Sequence, residues 1–139
     1  DKNNGFVFDG YPRSLAQYEQ VQDMLRKFGK KIDWVIFLEI SEAESVKRLS
    51  ARRTCEKCKE IFNLISKPPK NSEICDKCGG KLFIREDDTE MAIKKRLNIF
   101  HESTEPILKK ANSEEILIKI NGEQEIEKIH QEIVEKLGV

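Results

Sequence analysis

T-C-E-K-C-K-E-I-F-N-L-I-S-K-P-P-K-N-S-E-I-C-D-K-C-G-G-K-L-F-I-R, residues 54–85, is the stretch on which the reading of this chain turns. Cys55, Cys58, Cys75 and Cys78 form two C-x2-C pairs separated by residues 59–74. Each pair turns two thiolates toward one point, and two such turns make a tetrahedral four-sulfur cage suited to Zn²⁺. Four thiolates fill the coordination sphere, so the metal is expected to be structural, holding together a small β subdomain with little core of its own. Gly79 and Gly80 follow the second pair, where a tight turn calls for a residue that tolerates positive φ. Lys57, Lys59, Lys77 and Lys81 surround the cage and offset its negative charge.

Working outward, arginines flank this insert: Arg48, Arg52 and Arg53 before it, Arg85 and Arg96 after it. The spacing predicts Arg48 and Arg52 on one helix face, where like charges repel unless an anion neutralises them. A solvated helix C-terminus, where cations are favoured, is the plainer reading. Asp87 and Asp88 either cap the following helix or orient arginines. Ile61, Phe62 and Leu64 read as apolar filling of the insert, and Ile61 and Phe62 could also cover a flat base.

Toward the N-terminus, Gly5-Phe6-Val7-Phe8-Asp9 reads as a buried parallel strand ended by the turn Asp9-Gly10-Tyr11-Pro12. Ligands of open α/β sheets bind at such carboxyl ends. Gly10 allows close backbone approach, Pro12 fixes the turn, Arg13 offers a planar fork for phosphate, and Gln17 offers a donor and an acceptor to a base edge. A turn with an exposed arginine is the alternative. Ser14-x-x-Gln17 forms a capping box for a helix through Leu15, Tyr18, Val21, Leu25 and Phe28 to Gly29.

A second buried strand is expected at 33–40. The Ser41-x-x-Glu44 box then opens a helix carrying Val46, Leu49 and the arginines at 48, 52 and 53. After the insert, Asp87-x-x-Glu90 caps a long helix through Met91, Ile93, Leu97 and Phe100, which Pro106 kinks or restarts. Ile116–Ile120 is a third strand ended by Asn121-Gly122, and a last helix runs over about 125–137 with Ile126, Ile129, Ile133, Val134 and Leu137 on one side. This order predicts an α/β fold: a parallel sheet with crossover helices. Three strands are few for such a sheet, which is therefore expected to be incomplete.

The 139 residues have the size of one domain with a small inserted subdomain. Basic and acidic residues balance at 25 each, so no global field favours nucleic acid or a membrane surface. The first residues hold no apolar signal-type run, and no later run is long enough to span a bilayer. Clustered cysteines without such a signal point to a cytoplasmic protein with reduced thiols.

Taken together, G-F-V-F-D-G-Y-P-R-S-x-x-Q at 5–17, R-L-S-A-R-R-T-C-x-x-C at 48–58, P-P-K at 68–70, C-D-K-C-G-G at 75–80, R-E-D-D at 85–88, K-R-L at 95–97 and I-N-G-E-Q at 120–124 resemble adenylate kinases of the long, zinc-lidded kind. Tyr11 and Ser14 stand where many members have Phe and Thr. The resemblance implies a P-loop nucleoside-monophosphate-kinase-like sheet, with core at 1–53 and 85–139 and a zinc-binding lid at 54–84. It implies ATP + AMP ⇌ 2 ADP by direct in-line transfer in a cytoplasmic monomer.

On the same grounds Arg48, Arg52, Arg85 and Arg96 would be catalytic, clamping the phosphates. Gly10, Tyr11, Pro12, Arg13 and Gln17, with Arg85 and Arg96, would hold AMP. Arg52, Ile61, Phe62 and the backbone at Gln124 would border ATP, and Asp9 would support the water shell of the Mg²⁺ that accompanies ATP. The family's G-x-x-x-x-G-K-[ST] phosphate loop does not occur in these residues. The chain therefore resembles the later two-thirds of such an enzyme, and little turnover is expected from it alone. Kinases of UMP or CMP usually have a short lid without cysteines. A zinc-ribbon binding module would need a basic or aromatic surface and leaves Arg13 and Gln17 unexplained.

Overall fold

The computed structural model describes residues 5–138. It divides into two compact units, residues 1–39 with 98–139, and residues 40–97.

The first unit is an α/β layer. Ser14 caps helix α1 (Leu15–Lys27) by accepting from the Gln17 N–H, and Gly29, at φ +65°, follows its end. Strand β1 (Val35–Glu39) pairs in parallel with β5 (Leu117–Asn121), Val35 opposite Leu117 and Glu39 opposite Asn121. Helix α4 (Glu105–Ser113) packs on α1, β1 and β5, while α5 (Ile126–Leu137) packs on β5 and stops at Gly138 in the left-handed conformation. The core here is Tyr18, Val21 and Leu25 from α1, Ile107 and Ala111 from α4, and Ile120 from β5. Tyr18, the largest of them, donates its hydroxyl to Glu114 Oε2 at 2.7 Å, which satisfies its one polar atom.

Two sequence expectations are corrected in this unit. Residues 5–8 form no strand, and Phe6, Val7 and Phe8 are exposed. Strand propensity reports what fits a pleated sheet, and no described strand pairs with this segment. The strand expected at 33–40 is shorter and less covered, with Ile36 and Leu38 exposed on one face. The parallel connection between β1 and β5 matches the expected α/β class.

In the second unit, α2 (Glu42–Ser50) is capped by Ser41, whose hydroxyl accepts the Glu44 N–H at 3.2 Å. Three short strands follow: β2 (Arg52–Cys55), β3 (Ile61–Asn63) and β4 (Leu82–Phe83), antiparallel in the order β3-β2-β4. Their core is Cys55, Phe62, Cys75 and Leu82. Helix α2 thus ends before Arg52. The Ala51 N–H closes on Lys47 and Leu49 carbonyls, and the next residues pair Arg52 with Asn63 and Thr54 with Phe83. Arg48 and Arg52 consequently do not share a helix face.

A 3₁₀ turn (Glu86–Asp88) leads to α3 (Glu90–Ile99), and a π turn (Phe100–Thr104) joins α3 to α4. Asp87 does not cap α3. Thr89 does, its hydroxyl accepting the Ala92 N–H at 3.4 Å, because both aspartates are taken by arginines. Pro106 lies in the first turn of α4, directly after the π turn, and supplies no N–H to the helical ladder there. Among the described residues no helix is long and apolar enough to cross a membrane.

Candidate functional site

The cysteine insert builds the same turn twice. Beyond Cys58, Lys59 takes φ +60° and its N–H bonds the Cys55 carbonyl at 3.1 Å; beyond Cys78, Gly79 takes φ +68° and its N–H bonds the Cys75 carbonyl at 2.9 Å. The four Sγ atoms lie within 4.8 Å of one another, with Cys55 to Cys78 at 3.5 Å and Cys58 to Cys75 at 3.6 Å. A disulfide requires about 2.05 Å, whereas a tetrahedron of Zn–S bonds of about 2.3 Å has edges of about 3.8 Å. Donor type, number and spacing all fit zinc.

Cys55 and Cys75 are buried, and Cys58 and Cys78 are more open to solvent. The peptide N–H of Cys58, against the opposing effect of burial, and that of Lys57 lower the Cys55 thiol pKa. At Cys58 the Glu60 peptide N–H is outweighed by Cys78, burial, Cys55 and Cys75, and the thiol pKa is raised: the sulfurs share their protons as one set. Gly80 is needed for space: a Cβ there would stand 2.9 Å from Cys55 Sγ. Around the rim, Glu60 accepts from Lys67 at 2.9 Å and Lys77 at 3.4 Å.

Beside the three strands, two aspartates gather three of the four predicted catalytic arginines. Asp88 is 1% exposed and accepts two bonds from Arg52, from Nε at 2.7 Å and from Nη2. These bonds raise the Arg52 pKa further, against burial. Asp87 accepts Arg85 Nε and Nη2, both at 2.9 Å. Arg96 stands 3.9 Å from Asp87 and 4.0 Å from Asp88, too far for a hydrogen bond. Three guanidinium groups over two carboxylates leave one positive charge in excess. Such a group can exchange carboxylate for phosphate oxygens without moving far. Arg48, the fourth, pairs with Glu44 along α2 at 2.7 Å, and its carbonyl accepts Asn63 Nδ2 at 2.9 Å.

The turn at residues 9–14 is held from several directions. Gly10 takes φ +68°, and its carbonyl accepts Arg13 Nε at 2.6 Å. Tyr11 and Pro12 are joined by a cis peptide. Gln17 does not return its side chain to Ser14, as a full capping box would; its Oε1 accepts the Arg13 N–H at 2.8 Å. Asp9 is exposed, and among the described residues it makes no ion pair.

Ile61 and Phe62 point to opposite sides of β3. Phe62 is 5% exposed and fills the cysteine core, with Lys67 Nζ 5.7 Å from its ring centre, whereas Ile61 is 49% exposed. At the end of β5, Gln124 Nε2 donates to the Asn121 carbonyl at 3.1 Å and Glu132 at 2.8 Å, so its side chain is already engaged. Sequence reasoning missed the burial of Asp88, although R-E-D-D beside flanking arginines was the available signal. It also missed Thr104 Oγ1 donating to the Arg13 carbonyl at 3.0 Å, which no local pattern announces.

Residues 1–116 match the family model described as Adenylate kinase. An adenylate kinase of Pseudothermotoga lettingae is 44% identical over 133 residues, covering 96% of this chain and 61% of that protein. One of Caldicellulosiruptor saccharolyticus is 40% identical over 139 residues, covering 100% of this chain and 65% of that protein. One of Archaeoglobus fulgidus is 42% identical over 133 residues, covering 96% and 61% respectively. The chain thus spans 61–65% of the length of these curated relatives.

Proposed function

The chain belongs to the adenylate kinase family, and from that premise we propose that it carries the lid and much of the phosphate-handling machinery for ATP + AMP ⇌ 2 ADP. The observation that carries this reading is the gathering of Arg52, Arg85 and Arg96 around Asp87 and Asp88, one positive charge in excess. Phosphoryl transfer asks little covalent chemistry of a protein and depends on positioning and charge stabilisation, which this cluster can supply. Arg96, whose donors make no hydrogen bond to the aspartates, is the first to meet an entering phosphate. Arg85 and Arg52 follow by exchanging carboxylate for phosphate oxygens, and Arg48 adds a fourth cation from α2.

AMP is held by Gly10, Tyr11, Pro12, Arg13 and Gln17, with Arg13 on its phosphate and Gln17 toward adenine. ATP is bordered by Arg52, Ile61 and the backbone at Gln124. Phe62, buried in the cysteine core on the other side of β3, does not itself meet the base. Residues 54–84 act as the lid, with 1–53 and 85–139 as core. Cys55, Cys58, Cys75 and Cys78 would hold a structural Zn²⁺ that makes the lid rigid, and lid closure would exclude water as a competing acceptor. Asp9, a single exposed carboxylate, suits the water shell of Mg²⁺ arriving with ATP.

These 139 residues contain no G-x-x-x-x-G-K-[ST] run, so slow or no turnover is expected of this polypeptide by itself. Two measurements test the reading. AMP binding to the purified chain should weaken at least about tenfold in Arg13→Ala, since a charge-assisted pair contributes about 1.5–3 kcal/mol; unchanged binding overturns the AMP assignment. ADP formation from Mg-ATP and AMP should not exceed that of Arg96→Ala prepared in parallel. ADP that disappears in the variant would show that the chain is an enzyme in its own right.

A further inference from the structure

The π turn Phe100–Thr104 is closed by the Glu105 N–H on the Phe100 carbonyl, five residues back. Such a widened turn re-aims the side chains that follow it and recurs at functional sites. Here it presents Thr104, whose hydroxyl donates to the Arg13 carbonyl at 3.0 Å from a position 91 residues away. The Arg13 N–H meanwhile goes to Gln17 Oε1 at 2.8 Å, and its Nε to the Gly10 carbonyl at 2.6 Å. Both peptide groups of Arg13 and the root of its guanidinium are therefore fixed. Among the described residues, Nη1 and Nη2 have no acceptor, and these are the two atoms that would form a fork on phosphate.

We propose that Thr104 is a positioning residue for Arg13: it locks the turn so that the free end of the guanidinium is already aimed when AMP arrives. This rests on the assignment of Arg13 to the AMP phosphate. Thr104 acts through the Arg13 backbone and touches no nucleotide. Without its hydroxyl, the carbonyl of Arg13 loses its tether and binding must order the turn as well as capture the anion.

The test is titration of the full 139-residue chain with AMP and with adenosine, followed by NMR shifts, for wild type, Thr104→Val, Thr104→Ser and Arg13→Ala. A net hydrogen bond corresponds to about 2–13-fold in affinity. Thr104→Val should weaken AMP by about that factor and leave adenosine unchanged, because adenosine has no phosphate for Arg13. Thr104→Ser, which keeps the hydroxyl, should return AMP to within about twofold. Equal losses for AMP and adenosine would make Thr104 merely structural and overturn the proposal, as would a serine variant no better than valine. If Arg13→Ala weakens AMP and Thr104→Val does not, positioning falls while the AMP assignment stands. If wild type takes no AMP, or Arg13→Ala takes it unchanged, the assignment falls and the proposal with it.

Discussion

Gly79 and Gly80 are neighbours in the second cysteine turn, yet glycine is required at each for a different reason. At Gly79 φ is +68° and an added Cβ would meet nothing within 4 Å. Alanine there incurs only the left-handed backbone, about 1–2 kcal/mol. At Gly80 the same atom would lie 2.9 Å from Cys55 Sγ and 3.1 Å from Cγ and Cδ of Lys57. The lysine stem can swing aside. The sulfur cannot, because Cys55 is 0% exposed and its bond to a metal would be fixed near about 2.3 Å. Overpacking of this kind costs about 1–3 kcal/mol, and a cage that folds around its metal expresses that loss as metal affinity.

Gly80→Ala should therefore weaken zinc by about 5–150-fold in competition with a chromogenic chelator, and Gly79→Ala by about 5–30-fold. The two ranges overlap, so asparagine separates the causes. Asn adopts the left-handed conformation more readily than Ala, so Gly79→Asn should recover most of the affinity. Gly80→Asn should be no better than Gly80→Ala, because the clash begins at Cβ. Wild-type affinity in both Gly80 variants would refute the steric reasoning, and no recovery in Gly79→Asn would refute the backbone reasoning.

Three further outcomes are expected. Lys59→Gly should tighten zinc a few-fold in the same competition, because Lys59 holds the mirror position at φ +60° with a Cβ, a strain of about 1 kcal/mol. Asp88→Ala should lower stability to urea by about 3 kcal/mol, since it leaves the largely buried Arg52 unpaired; Asp87→Ala, whose carboxylate is exposed, should lose less than about 1 kcal/mol. Tyr18→Phe should destabilise most between about pH 5 and 9. Burial pushes the Glu114 carboxyl up, but hydrogen bonds from Tyr18, Gln22 and Lys110 outweigh it and leave its pKa lowered, so its contribution is lost as pH falls through that depressed value. Burial and then Glu114 raise the Tyr18 pKa, so its contribution is lost only as pH rises beyond the ordinary tyrosine range. A pH-independent difference between Tyr18→Phe and wild type would remove this account.

What could be read from the sequence was local. A C-x2-C turn is decided within five residues, and so are the serine caps of α1 and α2 and the glycine that ends α5. The cysteine cage and most helices were legible for that reason. Two misreadings were local, since Asp87 is taken by Arg85 and Gln17 by the Arg13 N–H, but the larger ones involve partners far along the chain. Residues 48–53 have one charge pattern and one helical spacing, but whether Arg52 continues the helix depends on Asn63 and Phe83 being available to β2. The apolar run at 5–8 states what could enter a sheet, and it stays exposed where no described strand flanks it.

The same division runs through the candidate site. The arginines and the acidic pair stand out in sequence as residue types, and the proposal that the arginines meet phosphate starts from those types alone. Their pairing does not stand out: two adjacent aspartates at a helix start look alike, yet one is buried under Arg52 and the other open beside Arg85. Only the packing of residues 52 and 88, 36 positions apart, makes that distinction. Arg13 shows the point most sharply. Its own turn sets its direction, through Gly10 and Gln17, while the residue that holds its carbonyl comes from a distant π turn. The chemistry of a phosphate site can thus be read in single side chains, whereas its pre-organisation resides in contacts between segments and has to be read from the fold.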